Sequence, residues 1–267
     1  MGNTHGADWV QRIPLNAQQV ASAGNGGFAT AAASLAAAQA GTKIMIDNAA
    51  EWDETLTLTQ HKVTLEGVGA HNSTRITGLS PAGTGLTVNG AYDVKLENLN
   101  ISGRSTGAGL KLTGQIRRLH AKDCRFAGGA DGVLIEASSG GQVVDVLFEN
   151  CRFEGTAGVH FTAGGGDPAS QIYFKNCDFQ YCTGRWVHLD GIHVTGLFLQ
   201  NCNFLPTEAG AAPATKGITA NFTGTTGMIS GCNLALTTHA SASIELAAGV
   251  LYTGNTTEEG VNTARPD

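Results

Sequence analysis

Apolar and polar residues alternate in short stretches along most of the chain, and these stretches recur at a nearly constant spacing. Alternation with a period of two predicts β-strands, and the glycine-rich segments between them predict turns. The most regular feature is one position that recurs at intervals of 25, 27, 26, 25 and 30 residues. It is occupied by Leu99, Cys124, Cys151, Cys177, Cys202 and Cys232. Weaker copies at Val68 and Asn255 bring the number of repeats to eight.

Short strands that return at this spacing, with no helical pattern and no two-residue hairpin signal, predict a parallel β-solenoid with one coil per repeat. Residues at the same position in successive coils then form a column on the inner or outer side. The inner columns include Leu96, Phe148, Phe174, Leu199 and Ile229, and also Ile101, Phe126, Phe153, Phe179, Phe204 and Leu234. Asparagine and aspartate tolerate left-handed backbone, which predicts a bend at Asn98, Asp123, Asn150, Asn176 and Asn201.

Three strands per coil with an asparagine bend resemble the right-handed β-helix of the pectin-lyase-like superfamily, over about residues 27–256. The alanine-rich segment 28–40, which stops at Gly41, is similar to the helix that caps the first coil in phage tailspikes. We therefore expect an all-β, right-handed, single-stranded parallel β-helix of about eight coils with an amino-terminal capping helix. Residues 1–26 are predicted to form a polar arm and residues 257–267 a polar tail.

The composition of the chain argues against several classes of partner and cofactor. A net charge of -6 with 14% charged residues leaves no basic footprint for nucleic acid. No apolar run is long enough to cross a bilayer, and the first residues lack a secretory signal, so we expect no membrane insertion and synthesis in a cytoplasm. The cysteine column contains no histidine, which favours buried thiols over zinc ligands. No metal or other cofactor is predicted, and Cys182, outside the column, is assigned only as a further packed thiol.

One outward column carries four consecutive large apolar residues, which are Leu147, Tyr173, Phe198 and Met228. An exposed apolar stripe usually marks an interface, so we expect contact with another subunit or partner there. The alternative is cover by a loop or by the amino-terminal arm. Resemblance to phage β-helix proteins implies a homotrimer.

The third strand of each coil carries the candidate chemistry. In pectin-lyase-like enzymes the substrate groove lies over the corresponding strand. Glu136 and Asp190 are two coils apart, about 9.6 Å at one strand spacing per coil, near the upper end of the carboxylate separation in inverting glycosidases. His160 and His188 lie on adjacent coils beside them, which makes this the best acid–base cluster in the chain. The family's sharper motifs are missing: Trp186–Asp190 has the residue types of the lyases' Trp-x-Asp-His element in a different order.

Two functions of different classes follow. The first is a structural protein of a bacteriophage virion, a capsid decoration or short spike, with residues 1–26 as its tether to other virion proteins and host-surface polysaccharide as a candidate ligand. The second is a polysaccharide lyase or glycoside hydrolase, of which a tailspike depolymerase would be one form. The missing export signal favours the first function, because phage proteins leave the cell by lysis.

Overall fold

A computed structural model describes residues 17–20, 30–47, 52–69, 74–79, 83–138, 141–164, 169–205, 217–234, 244–257 and 260–262. These residues form a parallel β-solenoid that is wound from two long sheets, with a short helix near the amino terminus. The predicted all-β fold with stacked coils is confirmed. Among the described strands only the last pair is antiparallel. No described helix is long and apolar enough to cross a membrane.

The first sheet has ten strands, one from each successive winding. In chain order they are β1 (Ala17–Val20), β2 (Lys43–Asp47), β5 (Thr64–Val68), β8 (Tyr92–Glu97), β11 (Ile116–Lys122), β14 (Val143–Glu149), β16 (Ala169–Lys175), β18 (Val194–Gln200), β21 (Thr226–Ser230) and β23 (Gly249–Thr253). The last eight belong to the eight repeats of the sequence. Strands β1 and β2 extend the sheet at its amino-terminal end.

The second sheet contains the two other strands of each coil. Its second-strand row is β3 (Trp52–Asp53), β6 (Thr74–Thr77), β9 (Leu99–Ser102), β12 (Arg125–Ala127) and β19 (Asn203–Phe204). Its third-strand row is β4 (Leu56–Leu58), β7 (Leu86–Asn89), β10 (Leu110–Thr113), β13 (Asp131–Ser138), β20 (Ile218–Ala220) and β22 (Ile244–Leu246). Strands β15 (Arg152–Gly164) and β17 (Asp178–Asp190) run through both rows without the turn that separates them elsewhere.

The helix α1 (Ala31–Ala37) is shorter than the predicted segment 28–40. Thr30 caps its start, since its Oγ1 accepts a hydrogen bond from the Ala33 amide at 3.0 Å. The Glu54 carboxylate accepts two more bonds, from the amides of Ala31 and Ala32. The helix ends at Ala38 in extended backbone, three residues before the predicted glycine cap. Gly41, at φ +89°, instead forms the turn into β2.

The predicted boundaries of the arm and the tail also shift. Residues 17–20, assigned to the arm, form β1 and pair in parallel with β2. In the predicted tail, β25 (Gly260–Asn262) folds back on β24 (Asn255–Thr257) as an antiparallel pair. Residues 1–16, 21–26, 258–259 and 263–267 lie outside the described part of the chain, so the rest of the arm and tail stays a prediction.

The interior confirms the predicted columns. Phe153, Phe179 and Phe204 are fully buried and stack in succession, with ring centroids 4.9 and 4.7 Å apart. Phe148 and Phe174 form a neighbouring stack at 5.1 Å. Replacement of one such phenylalanine by alanine would lower the free energy of unfolding by about 3–5 kcal/mol. The coils above and below would keep the resulting cavity from closing. All six cysteines are buried and free of disulfides, as predicted.

The predicted bend is present in every regular coil. Asn98, Asp123, Asn150, Asn176 and Asn201 all have φ between 53° and 55°, in the left-handed region. Their side chains bond along the solenoid axis: the Asn150 amide donates to Asp123 at 3.2 Å, and Asn176 donates to Asn150 at 3.5 Å. These hydrogen bonds give the polar side chains of successive bends a partner in the adjacent coil, and they therefore stabilise the bend in each coil.

A second left-handed column was not predicted. It interrupts the strands of the first sheet at Asp93, Arg118, Asp145, Gln171 and Gly196. Asp93 and Arg118 lie opposite each other at the position that the pairing of β8 with β11 leaves out, and the register is the same on both sides of it. Glycine and aspartate commonly adopt this conformation, but Arg118 and Gln171 do not, so the residue types along the column do not reveal it.

Candidate active site

The outward residues of the third-strand row form what we call the third-strand face. Backbone pairing aligns Leu134 with His160, His160 with His188, and His188 with Thr219. It also aligns Glu136 with Thr162 and Thr162 with Asp190. Glu136 and Asp190 are therefore two rungs apart on one column, as the repeat predicts. The two histidines lie on adjacent rungs of the neighbouring column.

His160 and His188 are in direct contact. Their rings stack with centroids 4.6 Å apart and planes inclined by 9°. Burial, followed by electrostatic interaction with His160 and Arg185, lowers the pKa of His188 from 6.5 to about 4. At neutral pH His188 is therefore an uncharged ring that packs flat against His160.

His160 also contacts a carboxylate that the sequence analysis missed. Its Nδ1 lies 3.3 Å from Asp131 Oδ1 and 3.4 Å from Oδ2. An ionised carboxylate only accepts hydrogen bonds, so this contact places the ring hydrogen on Nδ1. In the neutral ring Nε2 is then an acceptor. Nε2 is buried and makes no hydrogen bond within the described structure, and Asp190 Oδ2 is 4.0 Å away.

Asp131 is the first residue of β13 and follows the turn Gly128–Gly129–Ala130. Its position pairs with Ala157 of β15, three residues before His160. The alternating pattern identifies only the outward residues of the third strand, and Asp131 falls outside that series. An acidic residue directly after a glycine-rich turn was the available signal.

The two predicted carboxylates, Glu136 and Asp190, differ in their surroundings. Glu136 Oε2 lies 3.0 Å from Lys111 Nζ, and Glu136 Oε1 accepts a hydrogen bond from Thr113 at 3.4 Å. Both contacts tie the Glu136 carboxylate to side chains of the preceding coil. The Asp190 side chain is 67% exposed. Of the four predicted residues, His160 and His188 are in direct contact, and Asp131 joins them as a carboxylate that was not predicted.

The predicted interface column is also aligned. Leu147 pairs with Tyr173, Tyr173 with Phe198, and Phe198 with Met228 on the outer side of the first sheet. The four side chains are half-buried, and the Tyr173 and Phe198 rings stack at 4.7 Å. The column continues to Leu251, which is 59% exposed. We call these five residues the apolar stripe; what covers it stays a prediction.

The buried cysteines pack in the interior of the solenoid. Burial raises the pKa of the Cys151 and Cys182 thiols well above the usual range, so both are held as neutral thiols. Cys182 lies in β17 opposite Gly155, and its Sγ donates to the Phe153 carbonyl at 3.7 Å. In the described ranges no three histidine, cysteine, aspartate or glutamate side chains come together as a metal site.

Fold and site together define a right-handed β-helix with an acid–base cluster on its third-strand face. A family model for the right-handed β-helix region matches residues 35–204 and 114–264, and the chain belongs to that family. A search of curated proteins found no match.

Solved structures of the same fold include enzymes that act on polysaccharides. Pectin methylesterase PemA from Erwinia chrysanthemi is similar with a TM-score of 0.64 and 14% identity, over 94% of this chain and 91% of that one. The pectin methylesterase from Aspergillus niger gives 0.61 and 17%, over 96% and 89%. An alginate lyase from Paenibacillus sp. gives 0.54 and 16%, over 85% and 83%. At these identities the likeness shows the fold alone.

Proposed function

We propose that the protein cleaves an acidic polysaccharide on its third-strand face, with His160 as the general base. The observation that carries the proposal is the contact between Asp131 and His160 Nδ1, which leaves Nε2 as a buried acceptor beside a solvent-facing column. A base that is oriented by a carboxylate is the arrangement needed for proton abstraction. The fold is shared with enzymes described as a pectin methylesterase and an alginate lyase, which supports a polysaccharide as the substrate class.

The reaction that suits this cluster is β-elimination from a uronate. His160 Nε2 takes the proton from the carbon next to the sugar carboxylate, the bond from the adjacent carbon to the glycosidic oxygen breaks, and a carbon–carbon double bond forms. The proton on Nε2 then passes to the departing oxygen, so one residue serves as base and acid. Asp131 stabilises the imidazolium that forms between these steps. His188, uncharged at neutral pH, adds no second positive charge beside it.

The experiment is a cleavage assay on a panel of acidic polysaccharides that includes polygalacturonate and alginate. We expect new reducing ends together with unsaturated products, which absorb in the ultraviolet. His160→Gln should lower the rate at least about 100-fold, because the base is removed. His120→Gln, on the outer side of the first sheet, is the matched control and should keep full activity. Cleavage that yields only saturated products would indicate hydrolysis instead of elimination. Full activity of His160→Gln would contradict the proposal.

A second candidate function is favoured by the apolar stripe. Five apolar side chains in register on the outer side of the first sheet are typical of a subunit interface. They support an oligomeric surface protein, with a homotrimer on a phage particle as the form suggested by resemblance to tailspikes. Neither the family match nor the three structures described above adds support for a virion. The mass of the protein in solution tests this candidate independently of any cleavage.

A further inference from the structure

A groove on the second-strand row is lined by two arginines, Arg75 and Arg125. It has a volume of about 450 Å³. We call it the arginine groove, and the side chains that line it include Arg75, Arg125, Glu154, Thr156, Tyr181 and Thr183. None of these residues belongs to the histidine cluster.

The arrangement around Glu154 fixes the arginines in place. The Glu154 side chain is only 10% exposed, and its carboxylate accepts from Arg125 through Nε at 2.9 Å and also through Nη2. Arg152 Nε lies 2.5 Å from the same carboxylate. Arg125 Nη1 donates to Asn100 Oδ1 at 3.0 Å. These bonds use three of the five N–H groups of Arg125 and leave two for a ligand.

The local charge is opposite to that of the whole protein. Among the residues that line the groove, Arg75 and Arg125 contribute two positive charges and Glu154 one negative charge, a sum of +1 in a chain whose net charge is -6. The next carboxylate in the column, Asp178, accepts a bond from Asn203 at 2.8 Å. Guanidinium groups held in a concave, partly dry site bind carboxylates strongly, because the planar donors match both oxygens.

The walls of the groove are suited to a sugar. Tyr181 has φ +52°, which is rare for a bulky residue, and Arg152 Cζ lies 5.1 Å from the centre of its ring. Thr156 and Thr183 add hydroxyl groups. A Cβ at Gly129 would lie 1.8 Å from the Ser105 carbonyl oxygen, so this part of the wall cannot carry a side chain. The groove therefore stays open.

The groove is connected to the histidine cluster by continuous backbone. Strand β15 runs from Glu154 to His160, six residues or at most about 20 Å, and β17 runs beside it from Tyr181 to His188. No turn intervenes, in contrast to the neighbouring coil, where residues 128–130 separate β12 from β13. A chain-like ligand could contact both places on the same pair of strands.

From these observations we infer that the arginine groove binds a carboxylate-bearing sugar unit of an acidic polysaccharide. The choice of a saccharide rests on the proposed function, whereas the positive charge and shape of the groove do not. The groove would hold a unit distant from the reacting bond and would contribute binding rather than chemistry.

Calorimetric titration with a galacturonate hexasaccharide and an alginate hexasaccharide tests the inference, in a His160→Gln background that prevents turnover. The fully methyl-esterified galacturonate hexasaccharide and inorganic phosphate serve as comparison probes. We expect one acidic hexasaccharide to bind at least about 10-fold more tightly than the ester and than phosphate. Binding of neither acidic probe, or equal binding of the ester or phosphate, would overturn the inference.

Two groove variants and one control locate the binding. Arg75→Gln removes a positive charge from the lining, and Ala127→Leu fills the groove without changing its charge. Each should weaken binding about 10-fold or more, provided that thermal unfolding shows the same fold. Arg118→Gln, on the first sheet, should leave the affinity within about twofold. Unchanged affinity in both groove variants would show that the groove is not the binding site, even if the wild-type protein cleaves polysaccharide. Charge-dependent binding without any cleavage would contradict the proposed function but support the groove as a binding site.

Discussion

Two histidine–carboxylate pairs stand on opposite outer surfaces of the same coils, and they differ in their surroundings. On the first sheet His120 Nε2 lies 3.4 Å from Glu149 Oε2, and on the third-strand face His160 Nδ1 lies 3.3 Å from Asp131 Oδ1. Glu149 is also 3.8 Å from Lys175 Nζ, which supplies a permanent positive charge. His160 is instead packed against the uncharged ring of His188. A similar distance therefore occurs beside a lysine on one face and beside an uncharged, stacked ring on the other, where we propose that the carboxylate orients a base.

The same contrast holds for the arginines. Arg118 and Asp93 form a bidentate pair in solvent, which raises the pKa of Arg118 and lowers that of Asp93 through their mutual hydrogen bond. Arg125 and Arg152 share the nearly buried Glu154. Because solvent screens the exposed pair, it contributes little to the free energy of unfolding. The buried Glu154 carboxylate depends much more strongly on its arginines. Burial, rather than residue type, separates the two faces.

The largest expected difference between the faces is catalytic. Asp131→Asn should lower the cleavage rate at least about 100-fold, because the amide no longer selects the ring tautomer that leaves Nε2 as the acceptor. Glu149→Gln makes the same change beside His120 and should leave the rate unchanged. Asp131 is a positioning residue, so its variant should also shift the acidic limb of the pH–rate profile. Equal rates for the two variants would remove the distinction between the faces.

The next effect concerns stability. Arg125→Met leaves the buried Glu154 carboxylate with Arg152 as its remaining arginine, and we expect the free energy of unfolding to fall by about 2–3 kcal/mol. Arg118→Met removes an arginine from the exposed pair and should leave the unfolding midpoint in urea unchanged. If both variants unfold at the wild-type midpoint, Glu154 does not depend on its arginines as the structure indicates.

A smaller effect concerns pH. His188 titrates near 6.5 in the unfolded chain and near 4 in the folded one, so below pH 6.5 the unfolded state binds the additional proton. Stability is therefore fully present above pH 6.5 and falls as the pH decreases toward 4. Since the ring is partly exposed, we expect a loss of about 1 kcal/mol. Urea titrations at several pH values should show a flatter profile in His188→Gln than in His120→Gln.

The smallest effect is on mass. If the apolar stripe holds a homotrimer, Tyr173→Asp combined with Phe198→Asp should lower the mass threefold in light scattering, since carboxylates cannot be buried there without partners. Leu134→Asp places the same charge on the third-strand face and should leave the mass unchanged. A wild-type monomer, or a double variant that keeps the wild-type mass, would remove the interface from this face.

Much of the fold was accessible from the sequence, because a single repeated constraint acts on the interior. Phe153 and Phe179 recur at one position since each coil must bury a ring against the last one, and Asn150 and Asn176 recur because each coil needs a left-handed bend. A shift of one residue would turn every inward side chain outward, which makes the register readable from alternation alone. The columns that hold His160, His188 and Glu136 follow from that register.

The outer contacts were not accessible in the same way. Alternation places Glu136 outward but does not show that Lys111, one rung away, occupies its carboxylate. It also omits Asp131, whose side chain reaches His160 from the end of a turn. The continuous strands β15 and β17, which join the groove to the cluster, depend on the missing turns in two coils.

By itself, then, the amino-acid sequence determined the winding, the stacking and the side of the wall on which each residue lies, because burial imposes the same requirement on all coils. Only the tertiary structure decided which outward groups touch. Those contacts are made between different residue types on adjacent rungs, through side-chain directions and turn shapes that no repeated requirement controls.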